Sequence, residues 1–295
     1  MFKKNKTNIL KVFGALLFAG FSFFYTSKIT NLIIDNDPIM EQIKKVEKEM
    51  QVSKIDPIIY NDEYITGING CKVNEEESYN KMKSEGSFKE ELLVMKQDEI
   101  EEVNKYIIGG NNINRSVSII ILDIPNENID NFIKDKKVVL NAFIDSNYIN
   151  NNIEELKKIK NVDIFNFGRN RKYTGRYIVY DNSIISSYLG NDSKYCLVLE
   201  KDDNILNICK KYDMKTIKVN KINENIFSYI KENLKEGKIF LIEKYNSNEL
   251  KVIINYILSR GYNIVSLNDL LSEINKCSWH LSFFRFNIYK VIKWI

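Results

Sequence analysis

The sequence predicts an α/β fold of parallel strands, preceded by an N-terminal transmembrane helix and a small α+β juxtamembrane region. Three observations carry that expectation. From residue 117 onward, short β-branched and aromatic runs alternate with amphipathic helical stretches. The segments between those runs are long enough for helical crossovers, the connection that parallel strands need. Residues 12–25, VFGALLFAGFSFFY, form an unbroken apolar run behind a lysine-rich start.

The apolar run comes first in the chain. Lys3, Lys4, Lys6 and Lys11 precede it, and basic residues on that side favour keeping the N-terminus in the cytoplasm. The run is a little short of the ~20 residues that span a bilayer core, but Ile9 and Leu10 extend it and Lys11 can snorkel. The following Phe24-Tyr25-Thr26-Ser27-Lys28 is a poor small-x-small cleavage site. The expectation is a single-pass protein of the cell membrane with an extracytoplasmic C-terminal domain; the alternative is secretion after signal cleavage.

Four segments follow from this reading: a basic stub and signal-anchor at 1–30, a stalk or α+β region at 31–114, the main domain at 115–275, and a tail at 276–295. Within the stalk, Asp37-Pro38 starts a helix in which Ile39, Ile43, Val46 and Met50 recur at helical spacing. Residues 56–94 mix a short strand, a turn at Gly67 and Gly70 where the glycines supply positive φ, and a helix around Ser78.

In the main domain the predicted strands are 117–123, 138–144, 162–167, 195–200, 215–219, 238–243 and 263–266. Helices are expected at 127–134, 152–160, 205–212, 226–235 and 248–260, with a long irregular connection at 168–194. A doubly wound open sheet and a closed barrel both satisfy this pattern. Leu122-Asp123-Ile124-Pro125-Asn126 follows the first strand in place of a Gly-rich phosphate loop, so a dinucleotide site has no support.

Charge and cysteine usage exclude other classes. The 43 basic and 39 acidic residues leave a net charge of +4 scattered along the chain, without the basic domain that nucleic-acid binding requires. Cys71, Cys196, Cys209 and Cys277 lack the close spacing of a zinc or redox motif. Cys196 and Cys209, one in a predicted strand and the other in the next helix, either form a disulfide in an exported domain or remain two buried thiols. The sole histidine, His280, stands in the tail without neighbouring ligands and reads as a surface residue. In that tail Trp279, Phe283, Phe286 and Trp294, with Arg285, Lys290 and Lys293, either lie on a membrane interface or form a helix packed on the domain.

Three stretches carry a family resemblance. The first is Gly237-Lys238-Ile239-Phe240-Leu241-Ile242, with Glu249-Leu250, Ile253-Ile254, Tyr256-Ile257, Gly261-Tyr262, Ile264 to Leu267 and Leu270-Leu271. The second is Val139 to Asp145 with Tyr148-Ile149, Asn152, Glu154 and Leu156, and the third is Ile120 to Pro125. Together, over residues 115–275, the chain resembles the polysaccharide deacetylase (NodB-homology) family. The resemblance implies an irregular (β/α)7 barrel.

It also implies a chemistry in which one Asp and two His hold a divalent metal, a second Asp is the general base and a later His the general acid. Asp123 stands at the metal-binding Asp, but Leu122 stands at the base, and Phe167 and Arg171 fall at the two histidines. The family's Arg-x-Pro-Tyr segment has no counterpart after Tyr195, and Glu243-Lys244 occupy the late His position. No metal and no other cofactor is therefore expected. The rim carboxylates Asp123, Asp145, Glu200 and Glu243 are the candidate catalytic residues of a barrel mouth. Phe167, Arg171 and Tyr173 are candidate glycan contacts. The expected function is a non-catalytic deacetylase-like protein that binds cell-envelope polysaccharide or an envelope protein; the alternatives are an active carbohydrate hydrolase with a divergent site and a scaffold of a membrane complex.

Overall fold

The computed structural model describes residues 2–111, 113–190, 193–222 and 225–272. The tail at 276–295, with His280 and Cys277, lies outside the described residues. Helix α1 (Phe2–Asp35) extends beyond the apolar run on both sides. Its stretch Phe13–Asp35 is long and apolar enough to cross a bilayer. Phe18 and Phe23 within it are each 80% exposed.

Chain order continues with α2 (Pro38–Met50), β1 (Ile58–Tyr60), β2 (Glu63–Ile65), β3 (Gly70–Val73), α3 (Glu75–Glu85), β4 (Met95–Asp98) and β5 (Tyr106–Gly109). The chain divides into two compact units, the first formed, among the described residues, by 2–53 and 70–98. There α2 begins as its sequence demands: an Asp37 carboxylate oxygen accepts the Ile39 N–H at 2.8 Å, with Pro38 in the first turn. Its apolar stripe, Met40, Ile43 and Met50, is buried with Tyr79 and Met82 of α3. The Tyr79 hydroxyl donates to Asp37 at 2.9 Å, so one aspartate serves both helices. β3 and β4 pair antiparallel in the same unit.

The second unit comprises, among the described residues, 54–69 and those between 99 and 272. Its remaining strands are β6 (Ser116–Ile121), β7 (Leu140–Ile144), β8 (Val162–Asn166), β9 (Tyr195–Val198), β10 (Lys215–Lys218), β11 (Ile239–Ile242) and β12 (Asn263–Ile264). All seven strands expected of the main domain are present, each one or two residues shorter than expected. Its helices are α4 (Glu127–Lys136), α5 (Ser146–Asn151), α6 (Ile153–Leu156), α7 (Gly175–Ile184), α8 (Asp203–Lys211), α9 (Ile226–Asn233), α10 (Ser247–Ser259) and α11 (Leu267–Leu271). The connection read as irregular thus contains α7, followed by a π-helical turn at Ile185–Leu189.

Two sheets organise these strands. One runs β11-β6-β7-β8 and is wholly parallel; the other runs β1-β2-β5-β10-β9, antiparallel only between β1 and β2. The boundary expected at residue 115 is therefore displaced. β5 lies between β2 and β10, so the β1–β2 hairpin and β5 belong to the second unit and not to a stalk. The turn glycines differ too, because neither Gly67 nor Gly70 has positive φ. Gly67 is required by proximity: a Cβ there would sit 2.2 Å from the Ile55 carbonyl oxygen.

Strand alternation sends residues into two cores. Val117, Ile119, Leu140, Ala142, Ile164 and Phe240 pack with the helices, among them Ile129 and Ile133 of α4 and Ile253 and Ile257 of α10. The opposite faces meet in a second core that draws on both sheets: Ile120, Phe143, Phe165 and Leu241 from one, Tyr64, Ile107, Leu197 and Ile217 from the other. No ladder joins β8 to β9 among the described residues, yet the Phe165 and Tyr195 rings lie 6.0 Å apart. At the other junction Gly109 bridges to Lys238, and the Gly110 N–H donates to the Gly237 carbonyl at 2.8 Å.

β12 attaches to the beginning of β6, with Ile264 opposite Val117. Buried Asn141 of β7 fixes this arrangement. Its carboxamide donates to the carbonyls of Ile119 (3.1 Å) and Val265 (3.4 Å) and accepts the Leu267 N–H at 2.7 Å. Of the two readings left open for Cys196 and Cys209, the structure has the disulfide, which ties β9 to α8.

Candidate functional site

Parallel strands bring their C-terminal ends to one edge of a sheet, and the residues just beyond β6, β7, β8 and β11 gather there. Three of the four candidate carboxylates share this edge: Asp123 after β6, Asp145 after β7 and Glu243 after β11. Glu200 follows β9 in the other sheet and is exposed.

Each carboxylate has a local explanation. Asp123 is exposed and accepts the Ile124 N–H at 2.8 Å. Asp145 caps α5 by accepting the Asn147 N–H at 2.9 Å. Glu243 is partly buried, and its Oε1 has no hydrogen-bond partner among the described residues. Burial, and then the charge of Asp123, push the Tyr245 phenol up to about 12. Tyr148 is raised as well, by burial, by Glu155 and by Asp123.

These residues do not fit a divalent metal. Among the described residues no three His, Cys, Asp or Glu side chains converge to hold one. Leu122, at the position the resemblance assigns to the base, packs against the two-sheet core. Phe167 is 5% exposed and meets the Phe143 ring edge-on at 6.3 Å. The Arg171 guanidinium stands 5.5 Å from the Phe167 ring. A phenyl ring and a cation thus stand at the two positions that the resemblance assigns to metal-binding histidines, and neither side chain can ligate a metal.

The three candidate glycan contacts separate by exposure. Arg171 is exposed, whereas Phe167 and Tyr173 are buried. The Tyr173 hydroxyl donates to the Asn166 carbonyl at 3.1 Å and accepts the Leu197 N–H at 2.9 Å. It supplies between β8 and β9 the link that a ladder would otherwise make. Burial pushes its phenol well above the usual value. Phe167 and Tyr173 therefore shape the surface from below, and Arg171 alone of the three offers polar atoms to a ligand.

The loop between β8 and α7 holds groups that the sequence reading passed over. Gly168, Asn170 and Arg171 have φ of 76°, 53° and 59°. Arg169 and Lys172 exchange two backbone hydrogen bonds of 3.2 and 3.1 Å, which makes Asn170-Arg171 the tip of a tight turn. Beside it, Arg169 binds buried Asp181 of α7 through two hydrogen bonds of 2.8 and 3.1 Å. Its guanidinium lies 3.8 Å from the Tyr177 ring centroid, and Asp181 raises its pKa further. Asn166 anchors the base of the loop: its carboxamide oxygen accepts from Ser146 Oγ and from the Gly168 N–H, both at 2.6 Å. The one sequence signal for this assembly is the basic run Gly168-Arg169-Asn170-Arg171-Lys172-Tyr173-Thr174-Gly175-Arg176.

No family model matches the chain. It is 29% identical over 136 residues to the uncharacterized protein YlxY of Bacillus subtilis (strain 168), and spans 42% of that relative's length. Among solved structures, the wild-type CE4 family pseudoenzyme BA3943 from Bacillus anthracis matches with a TM-score of 0.54 at 18% identity. That match covers 81% of this chain and 96% of the other. A BA3943 mutant described as having restored enzymatic activity matches equally, covering 80% of this chain and 99% of the other. The chain thus shares the fold of the CE4 family of polysaccharide deacetylases, as the stretches at 120–125, 139–156 and 237–271 imply.

Proposed function

We propose that this protein is a membrane-tethered, extracytoplasmic and non-catalytic relative of the polysaccharide deacetylases that binds cell-envelope glycan. The observation that carries the reading is that Leu122, Phe167 and Arg171 stand at the positions the resemblance assigns to the base and two metal ligands, with Leu122 packed against the core and Phe167 buried in it. A side chain that fills a cavity apolarly cannot exchange into a metal ligand by a change of rotamer. The fold supports the same reading, since a structure that shares it is described as a pseudoenzyme. We read the two sheets as the two arcs of an irregular (β/α)7 ring. Their shared core, the Tyr173 link and the Gly110–Gly237 contact support that closure. The exposed apolar stretch Phe13–Asp35 supports tethering in a bilayer.

The experiment is a pair of assays on the full chain in detergent micelles. Zinc content and acetate release from N-acetylated glycan should both stay at background, while the protein should sediment with insoluble peptidoglycan. Stoichiometric zinc with turnover would replace this reading by an active deacetylase. Absence of polymer binding would leave an envelope protein as the partner.

A further inference from the structure

We infer that the loop between β8 and α7 binds an acidic segment of that glycan, with Arg171, Lys172 and Arg176 pairing to its anionic groups and Tyr177 bearing on a sugar ring. The inference rests on the glycan-binding reading and adds the charge of the ligand and the place where it is held.

Charge distribution is the first ground. Basic and acidic residues are nearly equal in the chain as a whole, 43 to 39, yet residues 164–180 contain four cations and no acid. Arg169 is neutralised by Asp181. The other three are exposed and form no ion pair among the described residues. Like charges brought together raise the free energy of the fold unless a counter-charge arrives, and interspersed acids are the usual remedy on a surface. Here that remedy is missing.

Geometry is the second ground. The turn closed by Arg169 and Lys172 places Arg171 at its tip with Lys172 next to it in the chain, and Arg176 follows in the first turn of α7. Arg171 is steadied by the Phe167 ring beneath it. Tyr177 is 43% exposed while its ring is held against a guanidinium that is itself fixed by two hydrogen bonds. An aromatic ring whose position is set before binding loses little entropy when a sugar stacks on it. Guanidinium and ammonium groups beside such a ring pair with carboxylate or phosphate oxygens. A neutral polymer would use the ring and leave three cations unmatched.

The test measures binding of the full chain in detergent micelles to three probes: hyaluronan fragments, chitohexaose and polyglutamate. Hyaluronan should bind about tenfold more tightly than chitohexaose at low salt, and the margin should vanish in high salt. The triple variant Arg171→Gln, Lys172→Gln, Arg176→Gln should remove the margin, and Tyr177→Ala should weaken both sugars. The salt dependence of the wild-type protein stands even if the triple variant misfolds. Equal binding of hyaluronan and chitohexaose at every salt concentration overturns the inference and leaves the glycan reading intact. Polyglutamate bound as tightly as hyaluronan overturns the role of the sugar. If neither sugar binds and the protein does not sediment with peptidoglycan, both readings fail.

Discussion

The hydroxyl of Tyr173 accepts the backbone N–H of Leu197 at 2.9 Å, across a junction where β8 and β9 exchange no ladder bonds. The same hydroxyl donates to Asn166, so one phenol closes a gap between two sheets. Tyr173→Phe keeps the ring and strands both backbone groups without water. We expect a loss of about 1–3 kcal/mol in chemical denaturation. Faster amide exchange at Leu197 should accompany it, and an unchanged exchange rate there would contradict the linking role.

Gly237 tolerates no side chain. Its φ is 73°, and a Cβ would lie 2.0 Å from the Gly110 carbonyl oxygen. Relief would require parting the two strands, so Gly237→Ala should cost on the order of 3 kcal/mol or more. A thermal midpoint within two or three degrees of wild type, on the scale of about 2–4 °C per kcal/mol for a domain of this size, would show that the junction yields.

The disulfide between Cys196 and Cys209 closes a loop with a sequence separation of 13. Replacing both with Ser should lower stability by roughly 3 kcal/mol, chiefly by freeing the unfolded chain. Denaturant midpoints of wild type with and without reductant provide the comparison. Because Cys71 is disulfide-bonded as well, the double variant without reductant should fall between oxidised and reduced wild type.

Acidity should act on the first unit through Glu47. Burial, followed by the hydrogen bond and like charge of Glu75, raises its pKa from 4.5 to about 6. A carboxyl raised in the folded state is favoured there as the protonated acid. Its cost to stability is absent below about pH 4.5, grows as pH rises and is complete above about 6. Glu75→Gln removes the like charge and should flatten that fall. Hydrogen exchange in α2, followed from pH 4 to 7, reads the effect locally.

The main-domain strands were legible because β-branched runs such as Ser116–Ile121 and Ile239–Ile242 announce themselves. β5 did not, since Tyr106–Gly109 is four residues long and its partners come from distant parts of the chain. α7 was missed because Gly175–Ile184 opens with glycine and is rich in tyrosine and β-branched residues, so propensity argues against a helix that tertiary contacts impose. At the site, the substitutions at Leu122, Phe167 and Arg171 followed from the resemblance alone. The Arg169–Asp181 pair did not, because it joins a loop to a helix that the reading had not placed. Exposure was equally hidden: Phe167 and Tyr173 stand in a polar stretch, yet the fold turns both inward.

Asn141 receives the N–H of Leu267 from 126 positions away. Until that late segment has emerged from the ribosome, the amide at the heart of β7 has no donor for its oxygen. The nascent chain must therefore hold an incomplete sheet through most of its synthesis, a long interval in which unpaired strand edges stay exposed to aggregation.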